Sequence, residues 1–232
     1  MRWDVVVQAR NGFYWATAFL VMVVGGLLLV LPASARANGA AMVPALMVVN
    51  LPITTFFFMA GLMLLERDEG TLAALAVSPL SAGGYLAARI TTLTALAAVE
   101  TMAVVWIVFG TAGSWLPILL GTAALGVLYT SVGALMACRY RSLNALLLPA
   151  SMAVSLLLLP LLAHFGLAPR ALFLLHPVEP ALSLLRAGYV AQDARDLVFG
   201  VAGSACWGTI AFRSARRSLE RLMRDTGAAG GR

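Results

Sequence analysis

Leu65-Glu66-Arg67-Asp68-Glu69-Gly70-Thr71-Leu72-Ala73-Ala74-Leu75-Ala76-Val77-Ser78-Pro79-Leu80 is the one dense acidic cluster in a very apolar chain, and it falls between two long hydrophobic runs. Asp68 has the chemistry of an N-cap, with Glu69 in the first turn, where the helix dipole favours negative charge. Leu72, Leu75 and Ala76 then share one face, so 68–78 is expected as a short amphipathic helix. Pro79 stops it, because the residue before a proline is pushed out of the α region. Two turns of helix cannot cross a bilayer, which needs roughly 20 apolar residues. The segment is therefore expected at the membrane surface, facing water or a partner.

Composition sets the solvent of the remainder. Of 232 residues, 61% are hydrophobic and only 11% charged, and the mean hydropathy is +0.91. A soluble domain of this size cannot hide so much apolar surface, which makes the bilayer the solvent. All sixteen basic residues are Arg. Without Lys there is no Walker A phosphate loop and no Schiff-base chemistry. The net charge of +6 fits basic residues at helix ends better than nucleic-acid binding. Cys138 and Cys206 fall in or beside apolar runs and read as small buried thiols rather than a disulfide or metal pair.

In chain order, 1–12 reads as an interfacial helix, with Trp3, Val6 and Val7 on one side and Arg2 and Arg10 reaching headgroups. Apolar runs follow at 14–31, 42–65, 85–109, 115–137, 143–163 and 197–212, giving six expected spans. Ala35-Arg36-Ala37 resembles a signal-peptidase site, but the first run exceeds the ~7–15 residues of a signal h-region, which favours a retained span. Gly121, Gly126 and Gly133 line the fourth run. Gly200, Gly203, Ser204 and Gly208 in the sixth would let another helix approach closely. No internal repeat relates the two halves, which argues against an inverted-repeat carrier.

Orientation follows from the Arg bias. With the N-terminus cytoplasmic, twelve Arg fall inside and four (Arg36, Arg170, Arg186 and Arg195) outside. Both termini and the acidic segment are then cytoplasmic, and 213–232 is a basic cytoplasmic tail. The external connection holds an apolar stretch, 171–190, interrupted by Pro177, Glu179, Pro180 and Arg186. It is expected as a re-entrant element shielded by protein rather than a seventh span.

The acidic run continuing to Ser78-Pro79-Leu80 resembles the first cytoplasmic loop of ABC-2 type transporter permeases, in which E-x-x-x-G-T-L after the second span leads to [ST]-P-L. The chain also resembles a group of actinobacterial permeases described as fluoroquinolone or drug exporters. The resemblance implies an all-α integral membrane domain of six spans in the bacterial plasma membrane, with an interfacial N-terminal helix. It implies a coupling helix at 68–78 docked on a separate ATP-binding protein, which binds the ATP and Mg²⁺, and a second permease copy or sister. The coupling role falls on Glu66, Asp68, Glu69, Gly70, Thr71, Leu72 and Leu75: carboxylates to pair with basic groups, leucines to fill an apolar cleft.

Family likeness also implies that the second and fifth spans line the path between two subunits. Asn50, Thr54, Thr55, Phe56, Phe57, Met59, Met152 and Ser155 are the mixed polar, aromatic and Met set expected of an amphipathic-drug cavity. Glu100 lies about 16 Å along its helix from Arg89, deep in the hydrocarbon. A carboxyl there costs on the order of 2.5–3.5 kcal/mol, so it must face protein or water. It either ties two helices together or serves a cationic substrate or a proton. His164, His176 and Glu179 lack zinc-ligand spacing, and no hydrolase pattern is present. The expected function is export of an amphipathic small molecule, with no covalent chemistry in this chain. Two alternatives remain at this level. A proton- or ion-coupled carrier using Glu100 would run without an ATPase; a membrane scaffold would tolerate changes at Asn50, Phe57 and Glu100.

Overall fold

The computed structural model describes residues 12–30, 32, 38–76, 81–110 and 113–230. Among these, all regular structure is helical. The expected interfacial helix (all but Gly12), Ala35-Arg36-Ala37 and Ser78-Pro79-Leu80 lie outside the described residues.

Helix α1 spans Phe13–Val30. Next, α2 (Gly39–Pro52), a π-helical turn (Ile53–Phe57) and α3 (Phe58–Asp68) run on as one apolar rod. The π turn starts where Pro52, lacking an N–H, cannot continue the ordinary helical ladder. A short helix α4 covers Thr71–Ala76. Then come α5 (Ala82–Phe109), opened by Ser81 accepting from the Gly84 N–H at 3.1 Å, and α6 (Trp115–Arg139). Helix α7 (Leu143–Leu157) is followed by α8 (Pro160–His164), a 3-10 turn (Arg170–Phe173), α9 (Glu179–Ala187) and α10 (Ala194–Gly230).

Among the described residues, four rods are long and apolar enough to cross a membrane: Ala41–Asp68, Ala82–Phe109, Trp115–Arg139 and Leu143–His164. Tyr14–Val30 is a shorter apolar helix. The sixth expected span does not stand alone. It is the first half of α10, which continues without a break through the basic tail. The continuation is held by packing, because Ala215 and Leu219 on one face are fully buried and α10 rests on α4. The fifth expected span is interrupted between Leu157 and Pro160. Cys206 is exposed on α10, which corrects the expectation of a buried thiol, whereas Cys138 is half-buried.

Helix α6 is the hub, touching α2, the π turn, α3, α5, α9 and α10. Its glycines make this possible. A Cβ on Gly133 would stand 2.4 Å from the Phe56 carbonyl oxygen, so only glycine admits the π turn at this distance. Gly200 and Gly203 on α10 play the same part for α9, where a Cβ would meet Leu184 and Pro180 at 2.8 and 2.7 Å. The close approach expected of the sixth run is thus made with α9. Seven of the nine residues of α9 are buried, between α6 and α10.

Candidate functional site

The acidic segment is built differently from its sequence reading. Asp68 is not an N-cap; it is the last residue of α3, and Gly70 turns the chain with φ +73° before α4 begins at Thr71. The Glu69 N–H still reaches the Leu65 carbonyl at 2.9 Å and the Gly70 N–H reaches Arg67 at 3.1 Å. This is the left-handed glycine ending of a helix. Tertiary partners carry the span this far. The Arg67 guanidinium donates to the Tyr140 carbonyl at 2.7 Å, closing the end of α6.

Glu66 points inward. It is buried, forms an ion pair with Arg89, and accepts from the Tyr85 hydroxyl at 2.5 Å. Leu72 is also buried, within the core cluster that includes Leu219. Both side chains, expected in the coupling set, are thus turned into the bundle rather than outward. The exposed set is Asp68, Glu69, Gly70 and Thr71. Beside them lies a cavity of about 640 Å³ lined by Arg67, Asp68, Arg139, Arg141, Leu222 and Asp225.

The second constellation lies in the middle of the bundle. Asn50 donates to one Glu100 carboxyl oxygen at 2.5 Å and the Thr54 hydroxyl donates to the other. Glu100 is 2% exposed. The sequence placed Asn50, Thr54 and Glu100 in one candidate path; the fold joins them as a polar bolt between α2 and α5. Thr55 is spent on its own helix, donating to the Leu51 carbonyl at 2.6 Å. Phe56 and Met59 are fully buried. These five second-span residues and Glu100, expected along a substrate path, are all buried within the bundle. Phe57 is half-buried, and Met152 and Ser155 are exposed on α7.

The third constellation escaped the sequence reading. Glu179, fully buried, accepts from Arg170 at 2.8 Å and from Arg186 at 2.9 Å. Arg170 also donates to Ser183 at 2.7 Å and pairs with Asp196 at 3.0 Å. Arg186 Nε donates to His164 Nδ1 at 3.1 Å, which leaves His164 Nε2 to donate to the Ala41 carbonyl at 2.8 Å. One network thus ties α2, α8, the 3-10 turn, α9 and α10. A signal was present: Glu179 and Arg186 are seven residues apart, two helical turns, and share one face. Nearby, burial pushes the His176 pKa below the usual value, opposed by its bond to the Leu156 carbonyl and by Glu179.

No catalytic geometry joins these three clusters. They are two anchors and a bolt around an exposed turn. The model of the fluoroquinolones export permease protein family matches residues 1–225. Two proteins named as fluoroquinolones export permease proteins, from two strains of Mycobacterium tuberculosis, are each 30% identical over 190 residues, spanning 82% of this chain and 79% of theirs. A multi-pass apolar helical bundle matched along nearly all its length leaves one conclusion: this chain belongs to the fluoroquinolones export permease protein family.

Proposed function

We propose that this chain is the membrane subunit of an ABC-2 type exporter that moves an amphipathic small molecule, of the fluoroquinolone kind, out of the cell. A separate ATP-binding protein supplies the energy. The observation that carries the reading is the exposed turn Asp68-Glu69-Gly70-Thr71, held rigidly from behind. Glu66 is locked to Arg89, Arg67 to Tyr140, and Leu72 is buried in the core. A turn so braced passes a push from a partner into α3, α5 and α10 together. Its acidic face suits a basic groove, and the adjacent cavity, where Arg67, Arg139 and Arg141 outnumber Asp68 and Asp225, suits a carboxylate of the partner.

Six crossings follow if α1 and the first half of α10 both span, which places both Arg-rich termini in the cytoplasm. Two copies, or this chain and a sister, would then meet across the exposed faces of α7 and the half-buried Phe57. Met152 and Ser155 would look into the path between them. Closing of the ATP-loaded partner would favour one arrangement of the two subunits over the other.

Replacing Asp68 and Glu69 by Arg tests this directly. Tagged wild-type protein should bring down a P-loop ATPase in stoichiometric amount and export fluoroquinolone from vesicles in an ATP-dependent way. The double variant should insert and fold normally yet lose the ATPase and at least tenfold of the transport. Export by wild-type vesicles without ATP would sink the proposal.

A further inference from the structure

We propose that the groove between α5, α6 and α10 is a binding site for one anionic phospholipid of the leaflet at the Arg-rich end. Helices α5 and α10 stand apart over the floor of α6, leaving a cavity of about 570 Å³ that includes Ile90, Val127, Ala205, Gly208 and Phe212. A second cavity of about 490 Å³ shares Ile90, Thr91, Ala123 and Val127 with the first and continues it to Ala98 and Leu119. The joined groove follows α5 from Ala87 to Ala98, about 16 Å at 1.5 Å per residue. One leaflet's hydrocarbon is about half of ~30 Å. The length suits an acyl chain.

The lining suits it as well. Two of the hydroxyls on the walls are turned into their own helices: Thr91 donates to the Ala87 carbonyl at 2.8 Å and Thr209 to Ala205 at 2.7 Å. Their methyl groups remain for the groove. The mouth has the opposite chemistry. Arg213 and Arg216 lie on the same stripe of α10 as Ala205, Thr209 and Phe212, at the groove's end. Arg216 lends its Nε to Glu220 at 2.7 Å; Arg213 has no hydrogen bond or ion pair among the described residues. Two guanidinium groups against one carboxylate leave a net positive mouth at the depth of the headgroups. An anionic phosphodiester fits the mouth, and its own acyl chain fits the groove. A helix from a second copy would fill the groove but leave the Arg213 guanidinium without an anion. The assignment is independent of the export reading; only the choice of leaflet rests on the Arg-rich end being cytoplasmic.

The test is native mass spectrometry of the full chain in detergent with equimolar phosphatidylglycerol and phosphatidylcholine. Wild type should retain phosphatidylglycerol at least fivefold over phosphatidylcholine, with one lipid bound per chain. R213Q/R216Q should abolish the preference, and Ala205→Phe, at an exposed position inside the groove, should abolish retention. R221Q/R224Q, farther along the same helix, should change neither. If Ala205→Phe does not fold by size exclusion, Thr209→Trp fills the same space. Equal retention of the two lipids by wild type would overturn the proposal. So would a preference that survives both the R213Q/R216Q and the groove-filling variants, or one lost equally in R221Q/R224Q. Dissociation of a dimer by Ala205→Phe would put a second copy in the groove and overturn it too.

Discussion

The rods Ala41–Asp68 and Leu143–His164 are both apolar enough to cross a membrane, yet within an 18-residue apolar stretch of each, 67% of the first is buried inside the molecule and only 17% of the second. Hydropathy does not separate them; polar side chains do. The buried rod carries Asn50, Thr54, Thr55 and Glu66, each with a hydrogen-bond or ion-pair partner. The exposed rod carries Asn144, Ser151 and Ser155 on its surface, with Ser151 satisfied by its own helix at 2.9 Å and only His164 at its end tied into the bundle, and it shows a long apolar face from Leu148 through Met152 to Leu156. Lipid is as apolar as leucine, so leucines gain little by being inside, whereas carboxylates and amides must be. In this chain the inside of the bundle is marked by polarity, the reverse of a soluble core.

The comparison breaks most sharply at Glu66. Its removal as Glu66→Ala leaves the Arg89 guanidinium buried without its carboxylate, an expected loss of about 3–5 kcal/mol. A detergent melt should show it as loss of most folded protein. Replacing the pair together, as Glu66→Leu with Arg89→Met, should recover most of that loss, since buried pairs are often replaceable by apolar groups of similar volume. No recovery would mean that the pair does more than satisfy itself.

Gly133→Val is next. Even the first added carbon would lie 2.4 Å from the Phe56 carbonyl oxygen, so α6 and the π turn must part, at a cost of about 1–3 kcal/mol or more. The readout is thermal stability of the purified chain. A neutral result would show that the π turn is not held by this contact.

On the exposed rod the expected stability effect is near zero. Met152→Ala, with Met152 63% exposed, should stay within about 0.5 kcal/mol. Leu148→Cys, in a chain with Cys138 and Cys206 replaced by Ala, should form a disulfide between two copies in oxidised membranes if this face meets a second subunit. Failure to cross-link along the whole face would assign it to lipid.

These contrasts also show what the sequence could reveal. Helix positions were legible because apolar runs and Pro, Gly and Ser stops are local. The turn at Gly70 was not legible, since the helix expected over 68–78 runs straight through it, whereas the chain turns there between Asp68 and Thr71. Partnerships were not legible. Asn50 and Glu100 are fifty residues apart, and helices apolar on nearly every face carry no periodicity to say which side meets which. The same silence hid the inward turn of Glu66 and the continuity of α10, whose C-terminal half is set by packing on α4 rather than by hydropathy.

The smallest expected effect concerns His176. Its Nδ1 accepts from the Val178 N–H at 3.3 Å and its Nε2 donates to Leu156 at 3.2 Å, so the neutral ring is the one accommodated. With the folded pKa lowered, the contribution is complete above the unfolded value of about 6.5 and is lost as pH falls through it. Melting temperature should dip slightly from pH 7.5 to 5.5, and His176→Asn should flatten the dip. An unchanged slope would place the sensitivity at another titratable group.

Helix α10 has 37 residues, about 55 Å of rise, against ~30 Å of hydrocarbon. It is a girder longer than the membrane is thick, with α4 resting against it at one end and Asp196 gripping Arg170 at the other. A girder tilts as a whole. A displacement of a few ångströms at the Gly70 turn, taken up by α10 as a rigid body, would reach the N-terminal end of that helix as strain on the Arg170–Asp196 ion pair.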